Sequence, residues 1–183
     1  MSEELTVVNN AEKGRFEVTL GNEVAFAEYR RLSNGILFPH TEVPPAFEGK
    51  GVGGKIVRAA LDWARAEGQK VMENLIQAHG KSITAVYAHN DEMALGAIAA
   101  LKAAGMNPGK DVKVVSVDGQ KSALEAIVAG DLNITVECNP RFGPVAFDTY
   151  EKFLRGEQIP PKIINQDRLY DASNAAQLVG EAY

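Results

Sequence analysis

The stretch G-V-G-G-K-I-V-R-A-A-L-D-W-A-R-A-E-G-Q-K-V-M-E-N-L-I (Gly51–Ile76) decides how this chain is built. Its apolar positions Val52, Ile56, Val57, Ala60, Leu61 and Ala64 recur at helical spacing, and the stripe continues beyond Gly68 through Val71, Leu75 and Ile76. Glycine inside a helix costs about 1 kcal/mol against alanine, which a long helix tolerates. The unbroken register predicts one long helix, over the alternatives of two helices or a helix and a short strand at Lys70–Met72. The patterns on its two sides differ in kind.

Upstream, the period is two. Arg15–Leu20 (R-F-E-V-T-L) places Phe16, Val18 and Leu20 on one face, Gly21-Asn22 is a turn, and Glu23–Arg30 returns as the second strand of a hairpin. Ser33-Asn34-Gly35 is a second turn signal, and Ile36–Val43 is a third strand broken by Pro39 and closed by Pro44-Pro45. Residues 5–45 thus predict an antiparallel meander. Downstream, strands and helices alternate: Ile83–Ala88, Val112–Val117 and Ile134–Glu137 are apolar strands, while Asp91–Ala104, Lys121–Ala129 and Gly143–Leu154 are helices, each stopped by a glycine. Such alternation predicts right-handed βαβ units and a parallel sheet. The fold class is α/β: an antiparallel meander plus helix (1–72) joined to a parallel βαβ lobe (73–183). The aromatic run Phe142, Phe147, Tyr150 and Phe153 predicts a core face on the last helix, and Trp63 a packing position.

Composition narrows the function. The 183 residues are 45% hydrophobic and 23% charged, an ordinary globular balance, with a net charge of −5. No basic field is available to hold nucleic acid or an anionic membrane. Cys138 is the single cysteine, and the three histidines (His40, His79, His89) lack metal-ligand spacing, so neither a disulfide nor a metal centre is expected. The opening M-S-E-E-L-T-V-V-N-N has no apolar or basic signal region, and no stretch reaches the roughly 18 apolar residues of a membrane helix. The sequence as written therefore predicts a cytoplasmic protein without membrane insertion.

Residues 5–72 resemble a short branch of the GCN5-related N-acetyltransferase family, through H-T-E-V-P-P-A-F-E-G-K-G-V-G-G-K-I-V (His40–Val57) and the following R-A-A-L-D-W-A-R-A-E-G. Glu48-Gly49-Lys50-Gly51-Val52-Gly53 stands in place of the family's pyrophosphate loop, with Glu48 at a position usually held by glutamine or arginine. Glycine N–H groups and a helix N-terminus together favour phosphate. The resemblance implies acetyl-CoA as cofactor, contacted at Val43, Gly49, Gly51, Gly53 and Gly54 with Lys50 nearby, and Glu42 or His40 as the base for an amine. The family continues with a strand that splays to admit the pantetheine arm. Here the chain runs from Lys70-Val71-Met72 into E-N-L-I-Q-A-H-G instead.

Residues 68–183 resemble the C-terminal lobe of periplasmic sugar-binding proteins of the ribose/galactose type. The match rests on A-V-Y-A-H-N-D-E-M-A-L-G-A-I-A-A-L-K-A-A-G (Ala85–Gly105), V-V-S-V-D-G (Val114–Gly119) and T-V-E-C-N-P (Thr135–Pro140). In that family, polar side chains at the carboxyl ends of the strands face the sugar. The resemblance implies Asn90, Asp118 and Cys138 as sugar contacts, with Cys138 where ribose-type members carry glutamine. Read from the residues alone, Asn90-Asp91 also suits the cap of the following helix. The family's other lobe is not matched.

The two resemblances meet at Gly68–Met72. The resulting expectation is a chimeric fusion, natural or engineered, with no complete active site. The alternatives are an acetyl-CoA-dependent N-acetyltransferase and a monosaccharide-binding lobe of transporter type. A homodimer is expected, because the truncated meander leaves Ile36–Val43 with an unpaired edge.

Overall fold

The structure, a computed structural model, describes residues 5–32, 35–138 and 140–183. The turn at Ser33-Asn34 lies outside the described residues. The chain divides into two compact units, the first ending at Gly68 and the second beginning at Gln69.

In the first unit, β1 (Val8–Asn10), β2 (Arg15–Leu20), β3 (Glu23–Glu28) and β6 (Thr41–Glu42) form an antiparallel sheet in the order β1-β2-β3-β6. Between β3 and β6, β4 (Arg30–Leu32) and β5 (Gly35–Leu37) pair as a separate two-stranded ribbon. The predicted strand Ile36–Val43 is therefore two short strands. Pro39 has no N–H for a ladder, and the chain changes partner across it. Alternation sends Phe16 and Val18 of β2 and Ala25 and Ala27 of β3 to one face, where they meet Phe47 and helix α1 (Val52–His79) through Val52, Ile56 and Ala60. Trp63 packs beside this core, its ring 4.5 Å from Tyr29 and 5.6 Å from Phe16. Arg31 covers the indole at 4.7 Å and pairs with Glu67 at 2.6 Å.

Helix α1 is one element of 28 residues, with no break at Gly68. Its buried line runs through Val52, Ile56, Ala60, Ala64 and Met72. Val57, Val71 and Leu75, expected on the stripe, are 44–53% exposed. Each lies one residue to the side of the buried line or of Ile76, about 100° around the helix.

In the second unit, β7 (Ala85–Tyr87), β8 (Lys113–Asp118) and β9 (Ile134–Glu137) are parallel, and β10 (Leu169–Asp171) adds an antiparallel edge, giving the order β10-β9-β8-β7. Helices α2 (Asp91–Ala103) and α3 (Lys121–Ala129) bury Ala94, Ala97, Leu101, Ala123, Leu124 and Ile127 with Val112 and Val114. The short α5 (Ala175–Leu178) adds Ala175. Gly130 closes α3 at φ 81°, a left-handed conformation that glycine adopts without a Cβ penalty.

Helix α4 (Gly143–Leu154) departs from expectation. It buries no residue, and Phe142, Phe147, Tyr150 and Phe153 are 55–73% exposed. An apolar helix face needs a second layer to cover it, and the described residues supply none. Strand β7 ends the sheet, so the N–H and C=O groups of Ala85 and Tyr87, which point away from β8, have no strand partner among the described residues.

Candidate functional site

The first candidate site is the turn that leads into α1. Strand β6 delivers Val43, a single 3-10 turn (Pro45–Phe47) follows, and buried Phe47 anchors it. Glu48 donates its N–H to the Pro45 carbonyl at 2.9 Å, and Lys50 donates its own to Phe47 at 3.1 Å. Gly49 and Gly51 sit at φ 70° and 65°, a region where a side chain would be strained. A Cβ on Gly53 would meet Val43 Cγ2 at 3.4 Å, so strand and helix pack closely there. The first-turn N–H groups of α1 (Val52, Gly53, Gly54) have no acceptor within the helix, as in any α-helix. All six positions named for acetyl-CoA thus lie within one segment of strand end, turn and helix start, and a Cβ on Gly49, Gly51 or Gly54 would meet nothing within 4 Å. Lys50 Nζ is turned back onto the Ala46 carbonyl at 2.9 Å. The two base candidates are adjacent and exposed: His40 Nε2 lies 3.5 Å from Glu42 Oε2, and the imidazole stands edge-on to Phe26 at 5.8 Å.

The second candidate site is built at the carboxyl ends of β7, β8 and β9. Asn90 caps α2, its Oδ1 accepting from the Met93 N–H at 2.8 Å. The other half of the expected cap does something different. Asp91 is fully buried, and its carboxylate accepts from Ser116 Oγ on β8, from Thr135 Oγ1 on β9 at 2.7 Å and from the Gln120 N–H at 2.7 Å. Burial pushes its carboxyl up, against the pull of those donors.

Asp118 ends β8 at φ 129°, the one non-glycine residue with positive φ among the described residues. Its carbonyl accepts from the Cys138 N–H at 2.9 Å. Its carboxyl accepts from the Asp91 N–H and the Gln120 side chain, and is raised to about 6, first by burial and then by the Asp91 charge. Gly119 follows at φ 78°, where a Cβ would meet Tyr170 Cε2 at 2.9 Å and Glu137 Cα at 3.1 Å. Cys138 is exposed and unpaired in any disulfide. Asn90, Asp118 and Cys138 are therefore brought to one end of one sheet.

Tyr183 was not foreseen. Its hydroxyl lies 2.8 Å from the Asp118 carbonyl oxygen and 3.2 Å from that of Cys138, and burial, then the Asp118 charge, pushes its phenol up. The buried trio of Asp91, Ser116 and Thr135 was also missed. Its signal was a hydroxyl residue among apolar neighbours in each of two core strands, V-V-S-V-D and I-T-V-E. A separate groove of about 500 Å³, lined by Met72, Leu75, Ile83, Val86 and Tyr87 among others, follows the open edge of β7 and does not include these groups. No cluster of three or more potential metal ligands occurs among the described residues.

By fold and by the placement of these residues, the chain joins two classes of structure: an antiparallel meander with a glycine turn like that of acetyltransferases, and a parallel α/β lobe like those of periplasmic sugar-binding proteins. Comparison with known proteins divides it in the same way. Residues 15–73 match the model of the GCN5-related N-acetyl-transferase family. The remainder is similar to the galactofuranose-binding protein YtfQ of Escherichia coli, 42% identical over 120 residues that make up 63% of this chain and 38% of that protein. Among solved structures, a galactofuranose-binding protein superposes with TM-score 0.60 at 39% identity, covering 64% of this chain and 41% of the other. The arabinose transporter's periplasmic binding protein from Shewanella sp. ANA-3, bound to L-arabinofuranose, gives TM-score 0.59 at 41% identity, covering 64% and 39%. The chain thus spans about two-fifths of the length of these relatives. No helix among the described residues is long and apolar enough to cross a membrane.

Proposed function

We propose that this chain is a fusion of two partial folds, and that its working chemistry is weak binding of a monosaccharide at the ends of β7, β8 and β9. The observation that carries this reading is the convergence of Asn90, Asp118 and Cys138 on one sheet end, with Asp118 in a strained conformation next to a buried carboxylate network. A sugar hydroxyl would donate to the Asp118 carboxylate and accept from the Asn90 amide, while Cys138 offers only a weak donor. The relatives' names include galactofuranose, arabinofuranose, fructose and ribose, which makes a pentose or hexose the class to try. One lobe gives a sugar part of the contacts that two closing lobes give. Hydrogen bonds left unmade at about 1–3 kcal/mol each weaken binding by orders of magnitude.

The glycine turn supports a second reading, an acetyl-CoA site. Acetyl-CoA would supply the acyl group. Gly49, Gly51, Gly53 and Gly54 would hold its pyrophosphate by main chain, Val43 and Lys50 would flank it, and Glu42, beside His40, would take a proton from an amine. The negative Glu48 opposes phosphate at that turn. β6, at the edge of its sheet, is where a homodimer would pair.

A thermal-shift series on the full chain separates the readings, since a ligand at 100 times its Kd stabilises by about 2.7 kcal/mol. Ribose, arabinose or galactose at high millimolar concentration is expected to raise Tm. A rise with acetyl-CoA and none with any sugar would overturn the proposal in favour of the acetyltransferase. Light scattering at high concentration is expected to give twice the chain mass, and a monomer mass would remove the dimer.

A further inference from the structure

Asp91 opens α2 one residue after its cap, yet its side chain serves none of that helix's own N–H groups. Oδ1 takes the hydroxyls of Ser116 and Thr135, Oδ2 takes the Gln120 N–H, and Thr135 Oγ1 accepts in turn from the Gly119 N–H at 3.2 Å. One fully buried carboxylate thereby ties α2 to β8, to β9 and to the turn at Gly119-Gln120. The tied residues bracket Asp118 in sequence. A non-glycine residue at φ 129° is strained and persists only where its surroundings over-determine it. The restraints here are the Asp91 network on both sides of Asp118 and the Cys138 N–H and Tyr183 hydroxyl on its carbonyl.

We infer that Asp91 is a positioning residue for the strand-end site: its carboxylate holds the Ser116–Gln120 segment in the strained form that presents the Asp118 side chain to a ligand. This rests on the reading of that site as the sugar half-site. Asp91 itself is fully buried and leaves no surface for a ligand to reach. A simple helix cap would aim at the first turn of α2, a task Asn90 already performs. A neutral core polar group would not set a charge beside Asp118. The titratable groups around Asp118 are Asp91 and Glu92 of α2, its register partner Glu137 on β9, the following Cys138, and the Tyr183 hydroxyl.

The test uses the full chain, isotope-labelled, with Asp91→Asn and Thr135→Val. The first removes the charge and replaces one of the two acceptor oxygens of the network with an amide donor. The second keeps the charge and cuts the tie to β9 and Gly119. Carboxyl NMR titration of Asp118 and the amide signals of Gly119 and Gln120 are read without any sugar. Asp91→Asn is expected to lower the Asp118 midpoint only part of the way from about 6, because burial, the larger cause, remains. Both variants are expected to move the two amide signals. Where ribose, arabinose or galactose binds the parent chain, both are expected to raise Kd at least tenfold. Unmoved Gly119 and Gln120 signals and an unmoved midpoint in Asp91→Asn would overturn the inference. Should Asp91→Asn fail to fold, Thr135→Val and Ser116→Ala decide by the same two amide signals, which must move. Absence of sugar binding by the parent chain would overturn the site reading, while the sugar-free spectra still decide the role of Asp91 in holding the turn.

Discussion

Gly119→Ala tests whether the strand-end turn is built as described. The substitution adds one methyl group at a residue with φ 78°, and alanine in left-handed backbone costs roughly 1–2 kcal/mol. The new Cβ would also lie 2.9 Å from Tyr170 Cε2 and 3.1 Å from Glu137 Cα. Tyr170 is 2% exposed and Glu137 Cα is strand backbone, so neither yields freely. Overpacking of this kind typically costs about 1–3 kcal/mol. Together the two effects give about 2–5 kcal/mol, a large part of the roughly 5–15 kcal/mol that keeps a domain folded. Gly105→Ala is the internal control: Gly105 has φ 70° but nothing within 4 Å of its Cβ, so only the backbone cost applies. Urea unfolding should be followed by the backbone amides of Val114 and Leu124, both buried in the second core. With a urea slope of about 1–3 kcal/mol/M, Gly119→Ala is expected to lower the midpoint by about 1–2 M, clearly more than Gly105→Ala. Equal midpoints for the two variants would refute the close approach of β9 and Tyr170 to this turn.

Three further outcomes follow from the same geometry. Asp118 is raised to about 6 in the folded chain from 3.8, so the folded state holds its proton more tightly than the unfolded chain does. Stability from this group is therefore present below about pH 4, is lost as pH rises toward 6, and stays lost above it. At 1.36 kcal/mol per pKa unit the ceiling is about 3 kcal/mol, reduced by the partial exposure of the group. Urea unfolding of the parent chain and Asp118→Asn at pH 4 and pH 7 checks this, the parent losing more between the two. Asn90→Ala removes the acceptor for the Met93 N–H and is expected to cost about 1 kcal/mol, as cap deletions typically do. Asn90→Asp restores the cap acceptor without the amide donor, so calorimetry with a bound sugar should show stability retained and affinity lost.

The fold was legible where periodicity and punctuation agreed. Arg15–Leu20, Lys121–Ala129, Ile134–Glu137 and Gly143–Leu154 have the bounds expected from their patterns. The 28-residue α1 was visible because the apolar register crosses Gly68 without resetting. Val8–Asn10, Leu169–Asp171 and Ala175–Leu178 were not foreseen, because three or four residues hold too little of any period to measure. Burial on α4 was misjudged for a different reason. Phe147, Tyr150 and Phe153 specify an apolar face, but only a neighbouring layer decides whether it is covered. At the site, Asn90, Asp118 and Cys138 were named through the family resemblance, which points to the ends of three strands that the apolar runs make visible. The inward turn of Asp91 could not, since its three partners come from sequence positions 25 to 44 residues away.

The buried Asp91 gives these strand ends opposed requirements. A carboxylate accepts a sugar hydroxyl most strongly when ionised, because charge-assisted hydrogen bonds are roughly twice as strong as neutral ones. The surroundings of Asp118 disfavour that ionised form, through burial and then through Asp91. Above about pH 6 the group is charged and suited to a ligand, and the same charge is then a cost to the folded lobe. A ligand that donates a hydroxyl to it would relieve part of that cost, as would a second wall carrying donors. The described residues place Tyr183 there, with its hydroxyl on the Asp118 carbonyl. On the proposed reading the half-site therefore keeps the electrostatic tension of a sugar cleft and offers little to satisfy it. That tension is why binding should strengthen from pH 5 to pH 7 across the same interval in which the lobe itself becomes less stable.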